Sequence, residues 1–265
     1  MNWFDPKIQD PGKEDQVVAV SVPSRQTLLE DLGARLSAGR GFSVATLNLD
    51  HVVKLRRVPE FRTAYQSHTH VTADGQPIVW LLRLARQPVE LVAGADLVEP
   101  VIEMAAARDV PVAFVGSTPG SLARAGEKLT ARHKGLSLAA QISPQMGFDP
   151  TGPEAERIID ELAGSGARLV FLALGAPKQE IFAARLAARL PDVGILSVGA
   201  GLDFISGAQT RAPRIIRMFA AEWLWRMLIN PVRLGRRYLA CIVIMPRLVV
   251  TALRHRSRRA HQISI

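Results

Sequence analysis

The chain has 265 residues, 48% of them hydrophobic and 22% charged, which is enough apolar material for one large α/β domain or one such domain with an appendage. A single cysteine, Cys241, excludes an internal disulfide and a cysteine-rich metal centre, and fits a reducing cytoplasm. The net charge of +9 is uneven: residues 211–265 hold 12 arginines against one acid, Glu222, whereas residues 1–210 come to −2, so the tail points towards an anionic partner such as phosphate, nucleic acid or a lipid surface.

Residues 1–15 are polar, without the basic-then-apolar pattern of an export signal, and are expected to be a flexible N-terminus. Gln16 to Val22 reads as a first strand, and Gln26 to Leu36 has helical spacing. A β run from Phe42 to Leu47 ends at Asn48, and Leu55 to Tyr65 reads as helical and basic, with Pro59 either breaking it or starting a turn of it. A short strand from His68 to Val71 then runs into Thr72-Ala73-Asp74-Gly75, and a helix follows from Ile78 to Ala85. Further on, helices are expected over 98–107, 122–131, 154–163 and 179–190, and strands over 112–115, 136–142, 169–174 and 194–198. Short apolar runs alternating with helical patterns make βαβ units, hence a Rossmann-like parallel sheet flanked by helices over residues 16–210.

Asp74 stands out because open α/β sheets place working residues at the carboxyl ends of strands. Its side chain has three readings: a helix cap, a turn brace, or a general base. Several strands end in glycine, at Gly116, Gly175 and Gly199. Glycines there let the backbone approach a ligand, and the helix N-termini that follow offer N–H groups to a phosphate, so together they point to nucleotide binding.

From residue 211 the character changes to a helical, basic appendage. Arg214 to Ile229 is an aromatic helical run, and Asn230-Pro231 reads as a helix start. Tyr238 to Val250 is apolar but interrupted by Pro246 and Arg247, which favours an amphipathic element lying in a membrane interface over a spanning helix. Arg254, Arg256, Arg258 and Arg259 form a basic cluster beside it, suited to an anionic leaflet.

An ordered set of short motifs carries a resemblance. They are Thr46-Leu47-Asn48, Ala73-Asp74-Gly75, Gly94-Ala95-Asp96-Leu97, Gly175-Ala176-Pro177-Lys178-Gln179-Glu180, Val198-Gly199-Ala200-Gly201-Leu202-Asp203-Phe204, Arg211-Ala212-Pro213 and Glu222-Trp223-Leu224-Trp225-Arg226, then Pro231, Arg233, Arg237 and Tyr238. From about Gln16 to about Tyr238 the chain resembles the WecG/TagA/CpsF family, glycosyltransferase family 26. The resemblance implies an inverting bacterial transferase that moves a sugar from a UDP-sugar to a polyprenyl-diphosphate-linked saccharide during surface polysaccharide assembly. It implies Asp74 as general base, a pocket lined by Thr46, Asn48 and Gln179, and appendage arginines that reach the diphosphate. Departures lie at Gln76-Pro77, where the family often has glycine, at Leu91, where it often has arginine, and at Asn230, where it commonly has glutamate. Arg83 or Arg86 could stand in for the arginine missing at Leu91.

Arg211, Arg214, Arg226, Arg233 and Arg237 are the candidates to meet the departing diphosphate. The sequence has no Asp-x-Asp triplet, so the arginines are expected to take the place of a metal, and no cofactor is expected. Other readings stay open. Asp203 binds ribose or uracil, or caps a turn; Lys178 meets phosphate or water. Trp223 and Trp225 stack on sugar, sit at a lipid interface or pack in the core. His68 and His70 are expected as a solvated or hydrogen-bonded pair on one strand face, not a metal site.

The expected protein is therefore a peripheral, metal-independent UDP-sugar transferase at the cytoplasmic face of the plasma membrane. One alternative is a catalytically silent component that holds UDP-sugar or lipid in an assembly complex. A nucleic-acid partner is not expected, since the tail's arginines alternate with long apolar stretches. Oligomerisation is left open.

Overall fold

The computed structural model describes residues 18–211 and 231–262. In chain order these form α1 (Arg25–Ser37), β1 (Phe42–Leu47), α2 (Leu49–Leu55), α3 (Pro59–Ser67), β2 (His70–Ala73), α4 (Gln76–Leu84), α5 (Gly94–Ala106) and β3 (Val112–Gly116). They continue with α6 (Pro119–Arg132), β4 (Leu138–Ile142), α7 (Pro153–Ser165), β5 (Leu169–Ala173), α8 (Lys178–Arg189), β6 (Gly194–Ser197), α9 (Gly201–Ser206) and α10 (Pro231–Gln262). The six strands make one parallel sheet in the order β2-β1-β6-β5-β3-β4. This is the Rossmann-like α/β architecture expected.

The inner strands β3, β5 and β6 are near-continuous apolar runs because both sheet faces are covered there, whereas the edge strand β4 is only partly buried. Phe42, Val44, Phe114, Phe171 and Leu196 pack on one face against α1, α5 and α6. Their alternate neighbours face the other way: Ala45, Leu47, Val71 and Ala73 meet α2 to α4 and α10, and Ala113, Val115, Val170 and Leu172 meet α7 and α8. Gly194 is glycine because a Cβ there would lie 2.6 Å from the Phe42 ring on the neighbouring strand. Helix starts follow side-chain chemistry: Ser24 caps α1 and Thr118 caps α6, each accepting an N–H three residues on.

Several local expectations are corrected. The described part of the supposed first strand, from Val18, is not a ladder strand; it covers the outer edge of β2, with the Ser21 N–H donating to the Val71 carbonyl at 2.9 Å. The helix expected from Leu55 to Tyr65 begins only at Pro59, which opens α3, one of the two roles read for that proline; Leu55 is the last residue of α2. His68 closes α3, and β2 begins only at His70. The short helix α9 follows Gly199-Ala200, in keeping with a helix start after that strand-end glycine.

Pro246 does not interrupt the tail. Helix α10 runs through it for 32 residues, with Pro246 on the exposed side, where water can satisfy the carbonyl that loses its partner. One stripe of α10, Cys241, Ile244, Leu248 and Ala252, is buried against the cluster built by α2, α3 and α4. A narrow apolar hollow lined by Val20, Leu47, Val52, Ile78, Leu81, Leu82 and Leu248 lies at this junction. Residues 1–15, Arg214 to Ile229 and the Asn230 cap lie outside the described residues.

Candidate active site at the carboxyl edge of the sheet

Strand pairing sets Thr46 beside Thr72 and Leu47 beside Ala73, so the next residues, Asn48 and Asp74, leave adjacent strands side by side. The Asp74 N–H donates to the Leu47 carbonyl at 2.8 Å, extending the ladder by one step and fixing the backbone under the carboxylate. The Thr46 hydroxyl stands 3.4 Å from Asp74 Oδ2, long for a bond of this type but directed at it. Thr46 is buried, while Asn48 and Asp74 are half-buried. The turn after Asp74 needs glycine, since Gly75 has φ +97°. The N-cap position of α4 falls on Gly75, not on Asp74, and Pro77 sits in the first turn.

Asn48 is the N-cap of α2 as well as a member of this group. Its Oδ1 accepts the His51 N–H at 3.0 Å, and its Nδ2 lies 3.2 Å from His51 Nε2. Behind it, His51 Nδ1 lies 2.8 Å from the Thr46 carbonyl and 2.7 Å from the Tyr65 hydroxyl, which itself donates to the Thr46 carbonyl at 2.8 Å. Burial drives His51 down to about 3, so the ring is neutral, and it pushes the Tyr65 phenol well above its ordinary range.

Gln179, in the first turn of α8, is 3% exposed. Its Oε1 accepts the N–H groups of Gly175, at 3.3 Å, and Gly199, at 3.2 Å, so one carboxamide ties together the turns that leave β5 and β6. Its Nε2 donates to Glu180 Oε1 at 2.8 Å. Glu180 is fully buried, and desolvation raises it from 4.5 to about 7. Lys54 pins the same loop by donating to the Ala176 carbonyl at 3.0 Å. A Cβ on Gly175 would meet open space, whereas one on Gly116 would lie 2.4 Å from the Ala173 carbonyl. Gly116 is thus explained by sheet packing and its φ of +121°, while Gly175 leaves room beside its backbone. Lys178 opens α8 half-buried and adds, after Thr151 and Arg185, to the influences that hold the Asp149 carboxylate below its usual range.

Asp203 joins a separate polar cluster across the sheet edge. Its Oδ1 accepts from the hydroxyls of Ser117 and Ser121, the latter at 2.9 Å, and its Oδ2 accepts from Gln209 at 2.7 Å. Ser117 follows Gly116 in the left-handed region, φ +53°, which aims its hydroxyl along this edge. So Asp203 braces a loop whatever else it binds.

A model of the glycosyl transferase WecG/TagA/CpsF family matches residues 16–262. The chain belongs to that family. It is a glycosyltransferase of the type that works in cell-surface polysaccharide synthesis.

The transferase's basic candidates are placed unevenly. Arg211 forms a bidentate pair with Asp96 in the first turn of α5, at 2.6 and 2.9 Å, and its guanidinium lies 5.8 Å from the Phe204 ring centre. Arg237 pairs with Asp50 of α2 at 3.0 Å, which ties α10 to the sheet edge; Asp50 also pairs with Lys54. Arg233 lies on α10, its side chain outside the described residues, and Arg214, Arg226, Trp223 and Trp225 lie outside them altogether. Leu91 is 41% exposed.

His68 and His70 are hydrogen-bonded, not solvated, and only His70 is in the strand. His68 Nδ1 lies 2.6 Å from the Ala64 carbonyl, and burial lowers the ring to about 4. His70 lies between the Thr69 hydroxyl and Asp31, each at 2.8 Å. Among the described residues no three His, Cys, Asp or Glu side chains converge as a metal site. The supporting residues His51, Tyr65 and Ser117 were given no part at the sequence level, and Asp96 and Glu180 stood in the motifs without a role. His51 carried a further signal, three residues after the N-cap.

Proposed function

We propose that this transferase moves a hexose-type sugar from a UDP-sugar to a polyprenyl-diphosphate-linked saccharide with inversion at the anomeric carbon. It does so without requiring a metal, at the cytoplasmic face of the plasma membrane. The observation that carries the reading is Asp74: a half-buried carboxylate at the mouth of the sheet's carboxyl edge, beside Asn48 and next to the Thr46 hydroxyl.

An acceptor hydroxyl is a weak nucleophile until its proton is taken. Asp74 accepts that proton as the hydroxyl oxygen bonds to the anomeric carbon and the bond from that carbon to the UDP oxygen breaks. The departing diphosphate gathers negative charge, which Arg211, Arg214, Arg226, Arg233 and Arg237 are suited to meet through paired N–H donors. The absence of an Asp-x-Asp triplet and the density of arginines support metal independence. Thr46, Asn48 and Gln179 line the sugar side, Gly175 and Lys178 the phosphate side, and Asp203 and Gly116 the nucleoside side.

Helix α10 supports the membrane part. Opposite its buried stripe it exposes Leu239, Ile242, Val243, Val250 and Leu253, and an apolar face of that size next to arginines fits a bilayer surface.

Replacing Asp74 by Asn or Ala removes the base while preserving the pocket. Turnover should fall about 10²- to 10⁴-fold with UDP affinity retained. Release of UDP from UDP-sugar, followed with a short-chain lipid-diphosphate acceptor, reads this directly, and wild-type turnover in either variant would rule out Asp74 as base.

A further inference from the structure

His51 is 5% exposed, and the reaction just described does not use it. Yet it is the residue that decides which way round the Asn48 carboxamide sits. The oxygen and nitrogen of a carboxamide are nearly the same shape, so only their partners fix the orientation. His51 engages both ends: its backbone N–H binds Oδ1, and its ring Nε2 faces Nδ2. That second contact is attractive only if Nε2 is bare and accepts the amide hydrogen.

The far side of the ring sets that condition. The Tyr65 hydroxyl donates to the Thr46 carbonyl, so it offers a lone pair to His51 Nδ1. The Thr46 carbonyl, also within 2.8 Å of Nδ1, can only accept. Both partners therefore call for a proton on Nδ1, which leaves Nε2 bare. The opposite tautomer would set an N–H against the Asn48 amide N–H. Phe61 and Tyr65 close on the ring edge to face, with centroids 5.7 and 6.1 Å away, and hold its plane. The charged groups bearing on this ring are Lys54 and Asp50 of its own helix and Arg237 of α10. Burial, with Lys54 and Arg237 acting in the same direction, outweighs Asp50 and the Thr46 carbonyl, and the ring stays neutral.

We propose that His51, backed by Tyr65, is a positioning residue for the transfer reaction. It locks the Asn48 amide so that the hydrogen His51 does not take is offered at one fixed point beside Asp74, to a sugar or phosphate oxygen of the bound substrate. The inference rests on the transferase reading and on Asn48 as a ligand group within it. It assigns His51 no proton transfer of its own.

A double-mutant cycle tests it in the full-length enzyme, with UDP-sugar and a short-chain lipid-diphosphate acceptor. His51→Gln should lower kcat about ten- to a hundredfold, as a misaligned contact does, with KM changed less than about threefold. Combined with Asn48→Ala it should lower kcat no further than Asn48→Ala alone, because the two changes remove one interaction. Tyr65→Phe, which keeps the ring and loses the hydroxyl, should show the same non-additivity at smaller amplitude and covers the case in which His51→Gln does not fold. The shape of the kcat–pH profile should not change in His51→Gln. Multiplying losses, or loss of one limb of that profile, would overturn the positioning role. If Asp74→Asn is inactive in the same assay, the transferase reading survives that failure; wild-type turnover in Asp74→Asn would overturn both.

Discussion

Three buried groups, Glu180, His51 and His68, are held towards the protonation state that costs least to desolvate. Glu180 has its ordinary value of 4.5 when unfolded and about 7 when folded, so between those values the folded chain keeps a proton that the unfolded chain has released. The stability this group contributes is whole below 4.5 and is lost as pH rises through about 7. Glu180→Gln keeps the acceptor that Gln179 needs and abolishes the titration. Its unfolding temperature should therefore gain on the wild type between about pH 5 and about pH 8, as calorimetry at a series of pH values would show. Parallel curves would mean that folding leaves the Glu180 carboxyl at its ordinary value. His51 and His68 work in the opposite sense. Their folded values, about 3 and about 4, lie below the ordinary 6.5, so their contribution is whole above 6.5 and is lost as pH falls through about 4 for His68 and about 3 for His51.

Among the elements, α5 shows how a motif glycine serves packing. A Cβ on Gly94 would lie 2.8 Å from the Ser197 carbonyl and 3.3 Å from Thr46 Cγ2, so the start of α5 can rest on the ends of β6 and β1 only without a side chain. Gly94→Ala should destabilise by about 1–3 kcal/mol, as overpacking does, measured by urea unfolding. Gly164, on α7, has nothing within 4 Å of its would-be Cβ. Gly164→Ala should instead stabilise by up to about 1 kcal/mol, from helix propensity. Equal effects at the two sites would show that the contact at the start of α5 is not tight. The same contact sets Asp96 in the first turn of α5, where the helix N-terminus favours a carboxylate and Arg211 meets it.

Over the whole molecule, α10 is both part of the core and the most apolar exposed surface described. Its stretch Arg237–Arg256 is, by length and composition, long and apolar enough to cross a bilayer, and 28% of it is buried against the protein. The packed stripe shows a helix that lies along the protein, and on the proposed reading its other side is the one offered to lipid. Ile242 and Val243 are 62% and 72% exposed, so aspartate at both should leave the fold intact. The double variant should lose co-sedimentation with anionic vesicles, and the wild-type protein should bind them less as salt rises. Vesicle binding by the double variant equal to wild type would remove α10 from the membrane contact. Cutting the chain near residue 207 would be a poorer test, because it would also uncover the core stripe of Cys241, Ile244, Leu248 and Ala252.

The sequence by itself determined the layered α/β architecture, since apolar runs closed by glycine and alternating with helical spacing have no other economical packing. Its ordered motifs also marked Asp74, Asn48, Thr46 and Gln179. What it left undecided were relations across the sheet. Strand order brings Asn48 beside Asp74, and it lets Gln179 bridge Gly175 and Gly199. Tertiary packing likewise puts Tyr65 behind His51 and pairs Arg211 with Asp96, 115 positions away. Periodicity and propensity act over one or two turns of chain. A hydrogen bond between distant residues depends on which strands become neighbours, and that is settled only when the whole apolar surface is buried together.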